Sequence, residues 1–302
     1  MTSNSDKAEA VGQLLETPDL AKQAAYFSDV LGLRLLARTG SEAFFACQAD
    51  AVSVVLRQGS AARCVAVSLE VPGTVSFADA TKELIGKGVG SRLKSDAAPE
   101  TRELLSVDAP EGLQIDLTHE RLAGEDAVPA LATGDGIAPR KLGHVAFNVE
   151  NVQAMVDFFV DVLGFRVSDW LGDFFAFLRC GPDHHTVNFL HGSRPKMHHM
   201  AFEARDWNHL KDASDLLGHR KIPLLWGPGR HPVGHNLFTY HNNPDGQIVE
   251  LYAELDQMSD EASGFFDPKP WHEDNPQRPK VWQPGPFTSN LWGIPTPPVF
   301  RD

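Results

Sequence analysis

The chain has 302 residues, of which 42% are hydrophobic and 22% are charged, and its formal net charge is −13 at pH 7. These values are typical of a globular protein of one or two domains. The acidic excess argues against a nucleic-acid partner, which requires clustered lysine and arginine, and no apolar run is long enough for a membrane helix or a signal core. The three widely spaced cysteines are expected to be reduced thiols. We therefore expect a cytoplasmic protein that acts on a small molecule.

The first half of the chain predicts a series of short strands and helices. Thr17 is expected to cap the first helix, and Gly32 is expected to end it in the left-handed conformation. A second helix is expected over Phe77–Gly86. Residues 123–140 are rich in alanine, glycine and proline, which favours a linker.

The second half predicts the same order of elements. Alternating apolar residues predict a strand over Leu142–Val149, and a helical stripe predicts a helix over residues 152–163 that ends at Gly164. Three strands are then expected, over residues 166–170, 174–179 and 186–191. A further unit is expected to consist of a strand over 198–204, a helix over 207–217, a strand over 222–226 and a hairpin of residues 236–241 and 247–253.

The chain contains the same module twice. The segment YFSDVLGLR at residues 26–34 returns as FFVDVLGFR at residues 158–166. The turn Pro110–Gly112 followed by Asp116 likewise mirrors residues 244–246 followed by Glu250. Because these matches keep the same order, we predict a duplication in which each copy is a pair of β-α-β-β-β units.

Metal-ligand candidates occur in the second copy, which also holds most of the thirteen histidines. His144, His199 and Glu250 each lie on a predicted strand between apolar residues of the opposite face, so all three can face one cavity. Two imidazoles and one carboxylate on one side of a metal leave positions open for substrate and O₂, which suits non-haem Fe(II). His198 is a competing candidate, but it shares the strand face of Met200.

The contexts LGHVAF, MHHMAFE and DGQIVELY around these residues resemble the vicinal-oxygen-chelate (glyoxalase/bleomycin resistance) superfamily, and most of all its two-module type I extradiol catechol dioxygenases. The resemblance implies an α+β fold of two tandem domains, each a pair of β-α-β-β-β units that forms an incomplete barrel. It also implies a metal in the C-terminal domain alone. The first copy agrees, since the matching positions carry Gly12 or Gln13, then Ala66, then Asp116.

The expected domain bounds follow from this resemblance. We expect a metal-free domain over residues 1–130 and a catalytic domain over residues 131–255. A tail rich in proline and tryptophan over residues 256–302 either covers the active site or packs against a neighbouring subunit.

The resemblance also assigns roles near the metal. His185 matches the acid–base histidine of the family, with the adjacent His184 as an alternative, and imidazole suits that task because it titrates near neutrality. His231 and Tyr240 match the histidine and tyrosine that line the substrate pocket and stabilise charge on oxygen.

Two further positions bear on the substrate. Trp226 replaces the arginine that binds the carboxylate of homoprotocatechuate in one branch of the family, which favours an apolar or uncharged ring substituent. His235 lies between the two pocket residues and is a second candidate for substrate contact. His209 and His241 have no motif around them and are expected at the surface or in loops.

The resemblance therefore implies extradiol (meta) cleavage of a catechol by O₂ at Fe(II), with Mn(II) as an alternative metal. The expected product is of the hydroxymuconic semialdehyde type, and the expected assembly is a homo-oligomer. Two other functions stay open because the same fold supports different chemistry. They are a metal-dependent glyoxalase-like isomerase and a non-enzymatic protein that binds a small molecule.

Overall fold

The computed structural model describes residues 11–48, 52–98, 101–119, 135–267, 269 and 272–300. We refer to residues 11–119 as the first module, to residues 135–255 as the second module and to residues 256–300 as the tail. The predicted linker lies outside the described residues as far as residue 134. Among the described residues, no helix is long and apolar enough to span a membrane.

Eight strands form the mixed sheet of the first module, in the order β2-β3-β4-β1-β5-β8-β7-β6. They are β1 (Val11–Thr17), β2 (Arg34–Arg38), β3 (Glu42–Ala46), β4 (Val54–Gln58), β5 (Arg63–Val71), β6 (Ser91–Ala98), β7 (Thr101–Asp108) and β8 (Gln114–His119). Helix α1 (Leu20–Ala25), which a π-helical turn over Tyr26–Val30 extends, precedes β2. Helix α2 (Phe77–Gly86) connects β5 to β6.

The second module repeats this plan. Its strands are β9 (Leu142–Val149), β10 (Arg166–Leu171), β11 (Phe175–Arg179), β12 (Val187–His191), β13 (Lys196–Glu203), β14 (Leu224–Arg230), β15 (Leu237–Asn242) and β16 (Ile248–Ala253). Its helices are α3 (Val152–Asp161) and α4 (Trp207–His219). The strand order is β14-β15-β16-β13-β9-β12-β11-β10. Read from its opposite edge, the first sheet has the order β6-β7-β8-β5-β1-β4-β3-β2, so each strand of the second sheet has an equivalent in the first. The duplication and the α+β fold of two tandem modules are therefore confirmed.

The tail adds short strands outside this repeat. Strands β17 (Met258–Asp260) and β18 (Phe265–Phe266) pair with each other, and β19 (Val281–Trp282) extends the second sheet. Strand β19 pairs in parallel with β10 at the sheet edge, through Trp170 and Leu171. The tail is thus hydrogen-bonded to one edge of the second sheet through β19.

Both glycines that the sequence predicts at helix ends adopt the left-handed conformation, with φ of 70° at Gly32 and 73° at Gly164. The predicted cap at Thr17 is wrong. Asp19 is the N-cap of α1, and its Oδ1 accepts a hydrogen bond from the backbone nitrogen of Lys22 at 3.0 Å. A carboxylate placed directly before the first helical residue satisfies a free backbone donor, whereas Thr17 is the last residue of β1.

The two modules share one hydrophobic core. Phe27 of the first module lies 6.4 Å from Phe202 of the second, between ring centroids. The hydroxyl of Tyr26 and Nε2 of His241 form a buried hydrogen bond of 2.6 Å across the same contact. The expectation that His241 and His209 lie at the surface is therefore wrong, since both rings are buried. Burial lowers the pKa of His241 to about 3.

Candidate metal centre and active site

Three central strands of the second sheet bring the metal-ligand candidates together. His144 lies on β9, His199 on β13 and Glu250 on β16, and these strands are neighbours in the sheet. Nε2 of each histidine lies 3.1 Å from Oε2 of Glu250, and the two Nε2 atoms lie 3.4 Å apart. All three side chains are buried.

These distances fit a single ion. Two donors that each lie about 2.1 Å from one ion, in roughly perpendicular directions, are about 3 Å apart. The three measured separations lie close to that value. Two imidazoles and a carboxylate are also a donor set that Fe(II) and Mn(II) accept.

The protonation states of these groups favour metal binding as well. Burial raises the pKa of Glu250, but His144 and His199 outweigh it and hold that pKa well below the ordinary value. Burial lowers the pKa of His144. Asn236 Nδ2 donates a hydrogen bond to Oε1 of Glu250 at 3.0 Å, which fixes the carboxylate. An ionised carboxylate and a neutral imidazole are the forms that bind metal ions.

His198 orients His199 rather than competing with it. The strand register shifts between Met197 and His199, and this irregularity brings Nδ1 of His198 within 2.6 Å of Nδ1 of His199. Nε2 of His198 donates to the carbonyl oxygen of Phe300 at 3.3 Å, and burial lowers the pKa of His198 to about 3. The neutral His198 ring therefore accepts at Nδ1 from His199, which leaves the lone pair of His199 at Nε2, toward the other donors.

His185 lies on the loop before β12, against the ring of His144. The two ring centroids are 4.3 Å apart, and Phe177 lies 5.4 Å from His185 on another side. Burial lowers the pKa of His185 well below its ordinary value. Nδ1 of His185 contacts Nδ1 of His184 at 2.9 Å, so the two candidates for the acid–base role are hydrogen-bonded to each other.

His231 and Tyr240 form a second hydrogen-bonded pair beside Glu250. Nδ1 of His231 donates to the carbonyl oxygen of Ser289 at 2.7 Å, so Nε2 accepts from the hydroxyl of Tyr240 at 3.0 Å. Nε2 of His231 also lies 3.9 Å from Oε1 of Glu250. Burial lowers the pKa of His231 to about 4 and raises that of Tyr240 well above its ordinary value. The pair is therefore neutral and presents polar atoms in a buried site.

An aromatic wall continues from Tyr240. The ring of Trp226 is nearly parallel to that of Tyr240, at a centroid distance of 5.6 Å, and its Nε1 donates to the carbonyl oxygen of Ile294 at 3.2 Å. Phe300 lies 4.9 Å from Tyr240 and 5.5 Å from Trp226. The tail therefore contributes an aromatic ring to this wall, which the sequence did not predict.

His235 is turned toward the tail. Its Nδ1 lies 2.6 Å from Oδ2 of Asp256, and its ring lies 3.8 Å from that of His272 with a tilt of 41°. The donor atoms of these three residues lie within 4.8 Å of one another. The rings of His235 and His272 pack against each other face to face at this tilt, and Nδ1 of His235 is hydrogen-bonded to Asp256. By contrast, the planes of His144 and His199 are at 84°.

The second module is similar to a known family. Residues 141–251 match the family model of the Glyoxalase/Bleomycin resistance protein/Dioxygenase superfamily. Metapyrocatechase 2 of Cupriavidus necator is 34% identical over 124 residues, which cover 40% of this chain and 39% of that protein. The manganese-dependent 2,3-dihydroxybiphenyl 1,2-dioxygenase of Geobacillus genomosp. 3 is 25% identical over 298 residues, which cover 89% of this chain and 91% of that protein.

A solved structure is similar over both modules. The Mn(II)-bound glyoxalase from Novosphingobium aromaticivorans is 28% identical to this chain with a TM-score of 0.81, and the match covers 98% of this chain and 95% of that one. The similarity to this superfamily is therefore found in the sequence of the second module and, through the solved structure, over both modules. Over most of its length the chain is also similar to the metapyrocatechase of Geobacillus stearothermophilus, which is 21% identical over 316 residues that cover 98% of this chain and 96% of that protein.

Proposed function

We propose that this protein is an extradiol dioxygenase, which opens the ring of a catechol beside its two hydroxyl groups with O₂. The observation that carries the proposal is the combination of the His144–His199–Glu250 donor set with His185 and the His231–Tyr240 pair in one buried site. The full-length similarity to a dihydroxybiphenyl dioxygenase supports it.

His144, His199 and Glu250 would hold the ion, because their geometry and protonation fit one divalent metal. Fe(II), or Mn(II) in its place, would supply Lewis acidity toward the catechol oxygens and redox chemistry toward O₂. His198 and Asn236 hold two of these donors in place by hydrogen bonds. The metal candidates follow from the donor set, and relatives that depend on either metal support both.

His185 accepts the proton that a catechol hydroxyl releases on binding, since its ring is neutral, buried and beside His144. His231 and Tyr240 stabilise the charge that develops on substrate oxygen by hydrogen bonding. Their fixed positions in a buried site make these interactions stronger than they would be in water.

The aromatic wall defines the class of catechol. Trp226 is bonded through Nε1 to the tail, so it offers the substrate only the carbon surface of its ring. Phe300 and Tyr240 extend that surface. We infer that the substrate carries an alkyl or aryl substituent rather than a carboxylate.

We further propose domain bounds at residues 1–130 and 131–255, with the tail over residues 256–302 as a cover for the active site. The contacts of Phe300 with His198, Trp226 and Tyr240 support a covering role. A homo-oligomer in the cytoplasm is also proposed. Exposed apolar side chains on the tail support a contact between subunits, namely Leu291, Trp292 and Ile294.

Oxygen uptake tests the proposal directly. Full-length protein is reconstituted with Fe(II) under anaerobic conditions and mixed with catechol, alkyl and aryl catechols, and carboxylated catechols. We expect O₂ consumption with formation of a yellow product, and the highest kcat/KM with an alkyl or aryl catechol. Iron-loaded protein that consumes no O₂ with any of these catechols would contradict the function.

One alternative has its own support, because the solved structure with 28% identity is named a glyoxalase. A glyoxalase-like isomerase converts a thiohemiacetal without consuming O₂. Measuring thioester formation from a thiohemiacetal by the same metal-loaded protein separates the two functions. We expect none, because the His185, His231 and Tyr240 set is suited to catechol chemistry.

A further inference from the structure

A buried hydrogen-bonded chain extends from His185 away from the metal-ligand candidates. Nδ1 of His185 contacts Nδ1 of His184 at 2.9 Å, and Nε2 of His184 contacts Oδ2 of Asp169 at 3.2 Å. All three side chains are buried, and aromatic rings surround His184, with Phe266 5.0 Å and Phe177 6.0 Å away. Polar groups in such surroundings are costly unless each is hydrogen-bonded.

The tail fixes the far end of this chain. Nε1 of Trp282 donates to Oδ2 of Asp169, and the backbone nitrogen of Lys280 donates to Oδ1, both at 2.7 Å. An indole N–H and a backbone N–H can only donate. Asp169 therefore accepts with both oxygens, as an ionised carboxylate does.

The direction of every other hydrogen bond follows from this end. Because Asp169 accepts, Nε2 of His184 carries a proton and donates it. Two Nδ1 atoms 2.9 Å apart can share only one proton. Since His184 already donates a proton at Nε2, we assign the shared proton to Nδ1 of His185, and Nδ1 of His184 accepts it. The proton of a neutral His185 thus lies on Nδ1, and its lone pair lies on Nε2, the nitrogen directed away from His184.

We propose that His184 and Asp169 are positioning residues, which hold His185 in one orientation and one tautomer so that Nε2 is the atom that accepts a proton from the substrate. The inference rests on the proposed function for the role of His185. In the step itself, the O–H bond of a catechol hydroxyl breaks and an N–H bond forms at Nε2. The resulting imidazolium is stabilised by Asp169 through His184, and no proton leaves the chain of residues.

Positioning of a catalytic histidine by a buried carboxylate is known from another class of enzyme. A buried carboxylate that sets the tautomer of a catalytic histidine is the arrangement of the serine-protease triad, where the wrong tautomer lowers kcat by about 10⁴-fold. Here the carboxylate acts through a second histidine and is completed by the tail. Three hydrogen bonds thus connect Trp282 of the tail to His185: Trp282 to Asp169, Asp169 to His184, and His184 to His185.

The tautomer can be read without turnover. We would record ¹⁵N–¹H correlation spectra of the histidine rings in full-length protein loaded with diamagnetic Zn(II), with His185→Asn to assign the signal. We expect the proton of His185 on Nδ1. A proton on Nε2 in the wild type would overturn the inference, whatever the protein's activity.

Variants separate positioning from packing. His184→Leu removes the acceptor and is expected to lower kcat about 10²-fold with little change in KM, because a general base typically contributes at least that factor. His184→Gln keeps an acceptor and is expected to restore kcat to within about threefold. His219→Leu changes an exposed histidine at the end of α4 and serves as the matched control with wild-type kcat. Equal losses for the Leu and Gln variants would contradict a positioning role.

The two proposals fail in different ways. Iron-loaded wild type that cleaves no catechol would contradict the function but leave the tautomer as measured. Wild type that cleaves catechol with His185 protonated on Nε2 would contradict only the positioning role.

Discussion

The two modules have the same strand order and differ in what their central strands carry. The register identifies the equivalent positions: Gly12 lies opposite Ser68 as His144 lies opposite Ala201. In the parallel pairs, Ser68 lies opposite Asp116 as Ala201 lies opposite Glu250, so Asp116 is the equivalent of Glu250. Ala66 and His199 each lie two residues before Ser68 and Ala201, so Ala66 is the equivalent of His199. Of the two alternatives at the first position, the structure therefore selects Gly12 over Gln13.

The carboxylate of the first module has acquired a different partner. Oδ1 of Asp116 accepts from the hydroxyl of Ser106 at 2.5 Å, and Gln114 donates to the same hydroxyl. Ser106 is opposite Asp116 in the sheet as Tyr240 is opposite Glu250. The sheet tolerates the absence of both imidazoles, because the buried carboxylate of Asp116 is satisfied by a hydrogen-bond donor, the hydroxyl of Ser106. The fold therefore does not by itself specify a metal site.

The largest effect on kcat is expected from a comparison of Glu250 with its equivalent in the first module, Asp116. Glu250→Gln should abolish metal binding and lower kcat by about 10³-fold or more, since the metal supplies the chemistry. Asp116→Asn is the matched control in the first module and should keep wild-type metal content and kcat. Metal analysis and O₂ uptake of both variants provide the measurement. Comparable loss in the two variants would remove the functional difference between the modules.

The second prediction concerns the introduction of metal ligands into the first module. A β-carbon at Gly12 would lie 2.9 Å from the backbone oxygen of Val52, closer than ordinary contacts. The double variant Gly12→His/Ala66→His should therefore bind no second ion and lose about 1–3 kcal/mol of unfolding free energy through overpacking. Metal stoichiometry and urea denaturation measure this, with Gly12→Ala to isolate the backbone contact. Two bound ions per chain would show that the scaffold retains a usable site.

The aromatic wall of the second module, to which the tail contributes Phe300, predicts a smaller effect. Phe300→Ala removes a ring from the wall and should raise KM for alkyl and aryl catechols about tenfold, while KM for catechol itself changes little. Phe287→Ala is the matched control, because that tail ring is exposed. A uniform rise in KM across the panel would argue against a role in substrate choice.

The smallest effect concerns the contact between the modules. Folded His241, whose pKa is about 3, stays neutral in acid, whereas the unfolded chain takes up a proton near pH 6.5. The unfolded state thus binds more protons between these values. The contribution of His241 to the free energy of unfolding is therefore fully present above about pH 6.5. It falls by about 1.4 kcal/mol per pH unit as the pH decreases from 6.5 toward 3.

His241→Gln removes this titration but keeps an acceptor for Tyr26. Urea denaturation between pH 6 and 4 should show a pH slope that is smaller by about one proton. The exposed His219→Gln serves as the control and should keep the wild-type slope. An unchanged slope in His241→Gln would contradict the account.

The sequence predicted the duplication and the principal site residues because both depend on local patterns. Each ligand candidate lies in a segment whose sequence alternates between apolar and more polar residues, and the two copies can be compared with each other. The role of His198 was missed because a register shift between Met197 and His199 breaks the alternation on which the prediction depended.

Contacts between distant segments could not be predicted for a different reason. Phe300, Trp282 and Tyr26 each meet residues more than one hundred positions away, and no periodicity in a sequence records such a contact. His241 was expected at the surface for the same reason, since only the packing of the two modules buries it. The family resemblance placed Trp226 near the substrate, and a position between His231 and Tyr240 suggested the same for His235. The structure turns His235 toward Asp256 instead.

The mass of the product formed under ¹⁸O₂ tests the central claim most directly. Iron-loaded wild type would be mixed with its best catechol, and the product mass would be recorded before oxygen exchange with water. We predict a ring-opened product whose mass equals that of the catechol plus both atoms of one O₂ molecule. A product that has lost two hydrogens without gaining oxygen, as a quinone has, would contradict it.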